Sequence, residues 1–166
     1  AKLAIMNRQK LVNKNIVISA AADGIGWAIA EHCMNNGAKI FLTDIDEDKL
    51  SILKSHQNYN KTLFLKKVDA SLSNSVLNYY MELKDQILSI DGLINNVGIA
   101  GPTGKIEDLD LEEWQNTINI NINSHFYFLK YFIPMLKKKG GSIINLSSTA
   151  GLFGFPFRTP YAASKW

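Results

Sequence analysis

Residues 15–26 read Asn-Ile-Val-Ile-Ser-Ala-Ala-Ala-Asp-Gly-Ile-Gly: a β-branched run, a turn of small residues, then the start of a helix. Asn15–Ala20 is expected to form a buried strand. The helix is expected from Gly24 to about Asn36, with Ile25, Ile29 and Cys33 at i, i+4 and i+8 on one face and Gly37 at its C-terminal cap. A strand leading through glycines into a helix N-terminus can bind an anion. Without side chains the backbone approaches a pyrophosphate closely, and the helix dipole favours its charge. Glycines at such a turn also serve packing alone. An acidic residue about twenty positions on, Asp44 at the end of the next β-branched run, adds weight to dinucleotide binding, because it can accept hydrogen bonds from the adenosine ribose.

Working outward, the alternation continues. Lys39–Thr43, Thr62–Val68, Asp91–Asn95 and Ser142–Leu146 read as strands, and Asp46–His56, Leu72–Ser89 and Leu111–Lys139 as helices, the last with Pro134 near its end. Ile118–Asn123 alternates apolar and polar residues, which alone signals a strand. Its flanks, an acidic start at Asp110–Glu113 and the unbroken Phe126–Leu136, favour helix. The β-α-β order predicts an α/β fold, a doubly wound parallel sheet with helices on both faces and ligands at the carboxyl ends of its strands.

Composition bounds the function. The 166 residues are 46% hydrophobic and 20% charged, which fits one globular domain over 1–166. Eighteen Lys and Arg against fifteen Asp and Glu give +3, too mild for a nucleic-acid binder. Only Arg8 and Arg158 are arginines, so no arginine-lined groove is expected and an anionic substrate is disfavoured. Lys137–Lys139 reads as a solvated helix end. A single cysteine, Cys33, excludes an internal disulfide and points to the cytoplasm. Ala1–Met6 is too short for a signal peptide, and no run approaches a membrane span. His32, His56 and His125 lack metal spacing, so no metal site is expected. Trp114, Phe126, Phe128 and Phe132 read as core or subunit-interface aromatics, and a homo-oligomer through helix 111–139 is expected.

Toward the C-terminus the motifs sharpen, and as an ordered set they resemble the short-chain dehydrogenase/reductase family. Ser19–Gly26 is similar to its Thr-Gly-x-x-x-Gly-x-Gly turn, Asn95-Asn96-Val97-Gly98 to Asn-Asn-Ala-Gly, and Tyr161-Ala162-Ala163-Ser164-Lys165 to Tyr-x-x-x-Lys. Asp69 stands after the third strand at the family's adenine-contacting Asp, Asn121 at its active-site Asn, and Ser148 after the fifth strand at its Ser. The resemblance covers nearly the whole chain. It implies a Rossmann-like fold and a cofactor site of Ser19, Ala20, Asp23, Gly24, Ile25, Gly26, Asp44, Asp69, Ala70, Asn96, Val97, Gly98, Tyr161 and Lys165. It implies catalysis by Asn121, Ser148, Tyr161 and Lys165.

Two positions depart from the pattern. Ala20 replaces a glycine; at φ > 0 alanine costs roughly 1 kcal/mol, whereas a negative-φ turn costs little. Val97 adds two methyl groups beside the expected nucleoside site. Both bear on cofactor affinity. Asp44 accepts from ribose hydroxyls and repels a 2′-phosphate, so NAD is expected over NADP. Asp23 either adds to that repulsion or serves only as a helix N-cap.

Tyr161 and Lys165, four apart, share a helix face. Such a pair alone is usually surface decoration, Asn121 alone a helix-face polar residue and Ser148 one of several loop serines. Together they imply a mechanism. A tyrosine acting as a base near neutrality must drop from its ordinary pKa of about 10 to about 7, roughly 4 kcal/mol, and a neighbouring ammonium favours the phenolate. Ser148 would hydrogen-bond the substrate oxygen, and Asn121 would hold a water behind Lys165. The aromatics of 153–158 could border the substrate.

The reading that follows is an NAD-dependent oxidoreductase of secondary alcohols or ketones. Its rival is a non-catalytic nucleotide-binding remnant, favoured by Ala20, Val97 and the early ending. A sugar-nucleotide epimerase ranks behind both, its glycine turn being spaced differently. The chain ends one residue after Lys165. The expectation is therefore that the family's last two strands are missing, that the Tyr161–Lys165 end frays, and that the chain alone turns over poorly.

Overall fold

A computed structural model describes residues 10–166; the short apolar run Ala1–Met6 and Arg8 lie outside the described residues. Five strands, β1 (Asn15–Ile18), β2 (Lys39–Asp44), β3 (Leu63–Lys67), β4 (Gly92–Asn95) and β5 (Ser142–Asn145), form one parallel sheet in the order β3-β2-β1-β4-β5. The order reverses between β1 and β4, and there the strand ends open a crevice.

Central β1 is buried on both faces, as a β-branched run flanked by two parallel neighbours requires. Its residues alternate between two cores. Ile16 and Ile18, with Ile40, Leu42 and Ile94, pack beneath α1 (Gly24–Asn35) and α2 (Glu47–Leu53). Val17, Phe41 and Leu93 pack beneath α3 (Ser73–Gln86) and α5 (Ser124–Lys137). Phe128 and Phe132 are fully buried there, whereas Phe126 is 54% exposed and Trp114 half-buried.

Two local expectations are corrected. The buried face of α1 is Gly26, Ala30, Cys33 and Met34, one position round from the expected stripe, and Ile25 is 67% exposed. The close seating of Gly26 on the turn sets this rotation. Helix 111–139 is interrupted: α4 (Leu111–Ile118) gives way to a π-helical turn at Asn119–Asn123 before α5. Strand β5 is exposed along its length because it is an edge with no described element over it.

The expected fraying at the C-terminal end is also corrected. Thr159–Lys165 forms α6, packed against α4 and the 149–151 turn. Buried Pro160 starts it, and Ser147 Oγ donates to the Lys165 carbonyl. Tertiary contacts supply what seven residues cannot supply alone.

Candidate active site

The glycine turn takes its shape from two positive-φ residues, Ala20 at +50° and Gly24 at +56°. Ala20 therefore occupies the left-handed region. Its carbonyl accepts from Asn96 Nδ2 at 2.6 Å, and Asn96 N donates to buried Ser19 Oγ at 3.2 Å. Ser19 thus fastens the turn to the loop after β4. A Cβ on Gly26 would stand 2.7 Å from Ala21 Cα and 2.8 Å from the Ala20 oxygen, so only glycine seats α1 this close. Nothing lies within 4 Å of where a Cβ on Gly24 would be, which leaves that side of the turn open.

Asp23 caps α1 by accepting from Gly24 N, and its other oxygen pairs with Lys49 Nζ at 3.2 Å. The Gly24 N–H and then the Lys49 ammonium hold its carboxyl below the ordinary range. Its charge is thus partly compensated. Asp44 accepts from Ala22 N at 2.9 Å and Asp46 N at 3.0 Å, tying the end of β2 to the turn. Ala20, Asp44, Asp69, Ala70, Val97 and Gly98 line a cavity of about 250 Å³ at the strand ends. Asp69 Oδ1 accepts from both the N–H and the hydroxyl of Ser71, which fixes the loop after β3.

A second cavity, about 440 Å³, adjoins the first at Gly98 and Ile99. Ile25, Asn96, Ser148, Tyr161 and Lys165 line it. Both cavities lie at the carboxyl ends of the strands, where ligands of such sheets bind. Lys165 Nζ donates to the Leu146 carbonyl at 3.0 Å and stands 5.9 Å from the Tyr161 ring centre. Burial lowers the pKa of this ammonium, with the Tyr161 charge acting in the opposite sense. A Cβ on Gly98 would meet Lys165 Nζ at 3.0 Å, so a bare backbone leaves the amine its place. Ser148 Oγ accepts from Ala150 N at 3.2 Å and caps the 149–151 turn.

Asn121 is buried in the π-helical turn. Its Oδ1 accepts from Ile99 N at 2.8 Å, and its Nδ2 donates to the Ile99 carbonyl at 2.9 Å and Ser164 Oγ at 2.8 Å. This side chain is committed to protein partners. These side-chain contacts clamp the β4 loop to α6. A π-helical turn re-aims one residue within a helix, and such turns recur at functional sites.

Sequence reasoning missed two participants. Ser164 completes the clamp, and Arg158 lines the second cavity, with its guanidinium carbon 5.6 Å from the Tyr161 ring centre. Phe155, one of the aromatics of 153–158 named above, walls the same cavity. Arginine scarcity had argued against a cationic wall, yet Arg158 sits three residues before Tyr161, a spacing that brings it to the same end of α6. Of the histidines, His125 binds the Val97 carbonyl through Nε2 at 2.9 Å, and burial lowers its pKa. No metal-binding cluster occurs among the described residues.

A family model described as short chain dehydrogenase matches residues 14–166. The chain belongs to the short-chain dehydrogenase family. It is 35% identical over 165 residues to trans-4-hydroxycyclohexanecarboxylate dehydrogenase of Sinomonas cyclohexanicum, covering 95% of this chain and 63% of that protein. It is 29% identical over 153 residues to 3beta-hydroxysteroid dehydrogenase of Mediterraneibacter gnavus, covering 92% and 55%. A Shigella flexneri short chain dehydrogenase solved in complex with NADP superposes with TM-score 0.87 at 28% identity, covering 95% of this chain and 68% of that one. This short-chain dehydrogenase sequence thus spans less than two thirds of the length of the two named relatives. Among the described residues of this family member, no helix is long and apolar enough to cross a membrane.

Proposed function

We propose that this chain carries the cofactor site and reacting groups of an NAD(H)-dependent oxidoreductase acting on a secondary alcohol or its ketone. The carrying observation is the second cavity, where Tyr161, Lys165 and Ser148 converge beside the glycine turn. The residues fit a dinucleotide: Gly26 seats α1 tightly, Gly24 leaves the turn open, and Asp44 stands at the wall of the first cavity. Gly24, Ile25 and Gly26 would face the pyrophosphate, Asp44 the adenosine ribose, Asp69, Ala70 and Val97 the adenine, and Lys165 the nicotinamide ribose. Nicotinamide, when bound, supplies the hydride acceptor or donor.

Tyr161 takes the proton of the substrate hydroxyl in oxidation and returns it in reduction. The Lys165 ammonium favours the phenolate that this requires. Ser148 Oγ hydrogen-bonds the substrate oxygen as charge develops there. Asn121 acts as a positioning residue, holding the β4 loop and α6 in register around Tyr161. NAD is the preferred cofactor because Asp44 opposes a 2′-phosphate, although Lys49 offsets the second acidic charge at Asp23. The two relatives are named as dehydrogenases of a hydroxycyclohexanecarboxylate and of a hydroxysteroid, which supports the alcohol/ketone class. A cytoplasmic setting and self-association through the exposed side of α4 and α5, where Ile122 and Phe126 are exposed, belong to the same reading.

Titrating the full-length protein with NADH and recording pH–rate profiles for wild type and Tyr161→Phe tests it. Saturable NADH binding and loss of at least a hundredfold in rate on removing the hydroxyl are expected. No binding at millimolar cofactor would favour the non-catalytic reading, and substantial activity in Tyr161→Phe would refute the role of Tyr161.

A further inference from the structure

We propose that Arg158 is the substrate-recognition residue of this site and that it selects a hydroxy acid or oxo acid by pairing with the carboxylate. The proposal rests on the oxidoreductase reading above and names its substrate class.

The second cavity contains two cationic side chains, Arg158 and Lys165, and no aspartate or glutamate in its wall. Both make only neutral contacts, but Lys165 has a place in the proposed proton transfer at Tyr161. Arg158 has no role in it. Its Nη1 donates to Thr103 Oγ1 at 2.8 Å and its Nη2 to the Ala100 carbonyl at 2.9 Å, both neutral acceptors. Its Nε is buried without a partner. Among the described residues every ion pair is made by a lysine, so this guanidinium has no counter-charge.

A half-buried arginine held in place by neutral oxygens, with donors to spare, is a preformed carboxylate receptor. Leaving its charge uncompensated costs free energy that a bound anion would recover. The fixing bonds to Thr103 and Ala100 also matter, since they hold the fork still before substrate arrives. Its position sets the size of the ligand. With the guanidinium carbon 5.6 Å from the Tyr161 ring centre, the carboxylate and the hydroxyl served by Tyr161 belong to one compact molecule, separated by a few carbons. Phe155, in the same wall, would cover the apolar carbons between them.

The test compares acids with their methyl esters in the full-length protein with NAD. Suitable pairs are 3-hydroxybutanoate and 4-hydroxypentanoate, each against its ester. Wild type is expected to favour the acid at least tenfold in kcat/KM for one pair or more, through KM. Arg158→Gln is expected to lower that acid-to-ester ratio at least tenfold, and Arg158→Lys to keep part of it. A purely structural Arg158 would lower acid and ester turnover together and leave the ratio alone. A wild-type ratio of one or less for both pairs, or a ratio within threefold of wild type in Arg158→Gln, overturns the proposal.

If neither acid nor ester is turned over, the oxidoreductase reading fails for these substrates, and calorimetry with acetoacetate decides this one. Binding to wild type that is at least tenfold weaker in Arg158→Gln supports carboxylate capture. Equal binding, or none to wild type, overturns it. Thermal melting of both variants identifies any loss of fold, and Arg158→Lys then carries the comparison.

Discussion

Ala20→Gly is expected to stabilise the protein slightly, although it removes a methyl group. Ala20 sits at φ +50°, where an L-residue with a Cβ loses about 1–2 kcal/mol relative to the right-handed regions. Glycine relieves that cost in the folded state. Against this, glycine gives the unfolded chain more freedom, worth about 0.4–1 kcal/mol. The balance is a gain between about 0 and 1.6 kcal/mol. The strained conformation persists because its neighbours over-determine it: Asn96 Nδ2 holds the Ala20 carbonyl at 2.6 Å, and Ala21 N donates to the Thr43 carbonyl at 3.0 Å. Ala20→Val is expected to go the other way, since a β-branched residue tolerates positive φ least. Urea unfolding of wild type and the two variants, without cofactor, gives both differences directly. An Ala20→Gly variant less stable than wild type by more than about 1 kcal/mol would refute the strain reasoning, because unfolded-state entropy alone would then have outweighed it.

Three further predictions follow from the same geometry. Gly26→Ala places a Cβ 2.7 Å from Ala21 Cα and 2.8 Å from the Ala20 oxygen, both backbone atoms. It should cost about 1–3 kcal/mol as overpacking and weaken NADH binding as α1 shifts; unchanged melting and affinity would contradict it. Asn121→Ala strands the N–H and carbonyl of Ile99 and is expected to destabilise by about 2–4 kcal/mol, read by denaturant melts, with kcat falling as α6 loosens. Asp91→Asn tests pH dependence. Burial pushes the Asp91 carboxyl up, but Lys14 Nζ and Asn15 N outweigh it and hold the pKa below its ordinary 3.8. Its folded pKa being depressed, the stabilisation is complete above about pH 4 and is lost as pH falls through the folded value. The variant should therefore be less stable by about 1–3 kcal/mol at pH 7, a gap that narrows on acidification and is visible in melts across pH 2–7.

The sheet was legible because its signal is short-range. Buried parallel strands such as Ile16–Ile18 need β-branched residues on both faces, and α1, α2 and α4 start at aspartate caps (Asp23, Asp46 and Asp110), so residue type fixed them one at a time. The rotation of α1 was not legible. Ile25, Ile29 and Cys33 make a reasonable apolar stripe, but where a helix seats on a sheet is decided by closest approach, and at Gly26 the deciding feature is an absent side chain. A pattern of hydrophobic residues cannot report that.

The site divides in the same way. Tyr161 and Lys165 share a face by helical spacing alone, and the strand–turn–helix context places the glycines. What joins them is long-range. Asn121 reaches Ile99, twenty-two residues away, and Ser164, forty-three away, and no local window contains either pairing. The apolar–polar alternation at Ile118–Asn123 carried the relevant information in a form that reads ambiguously. It fits neither a strand nor a regular helix, because the π-helical turn inserts an extra residue per turn at that point. The conflict between the alternation and its helical flanks was thus the trace of the feature that turns Asn121 inward. A local pattern at odds with strong flanking signals marks a position where function has shifted the backbone off its default course.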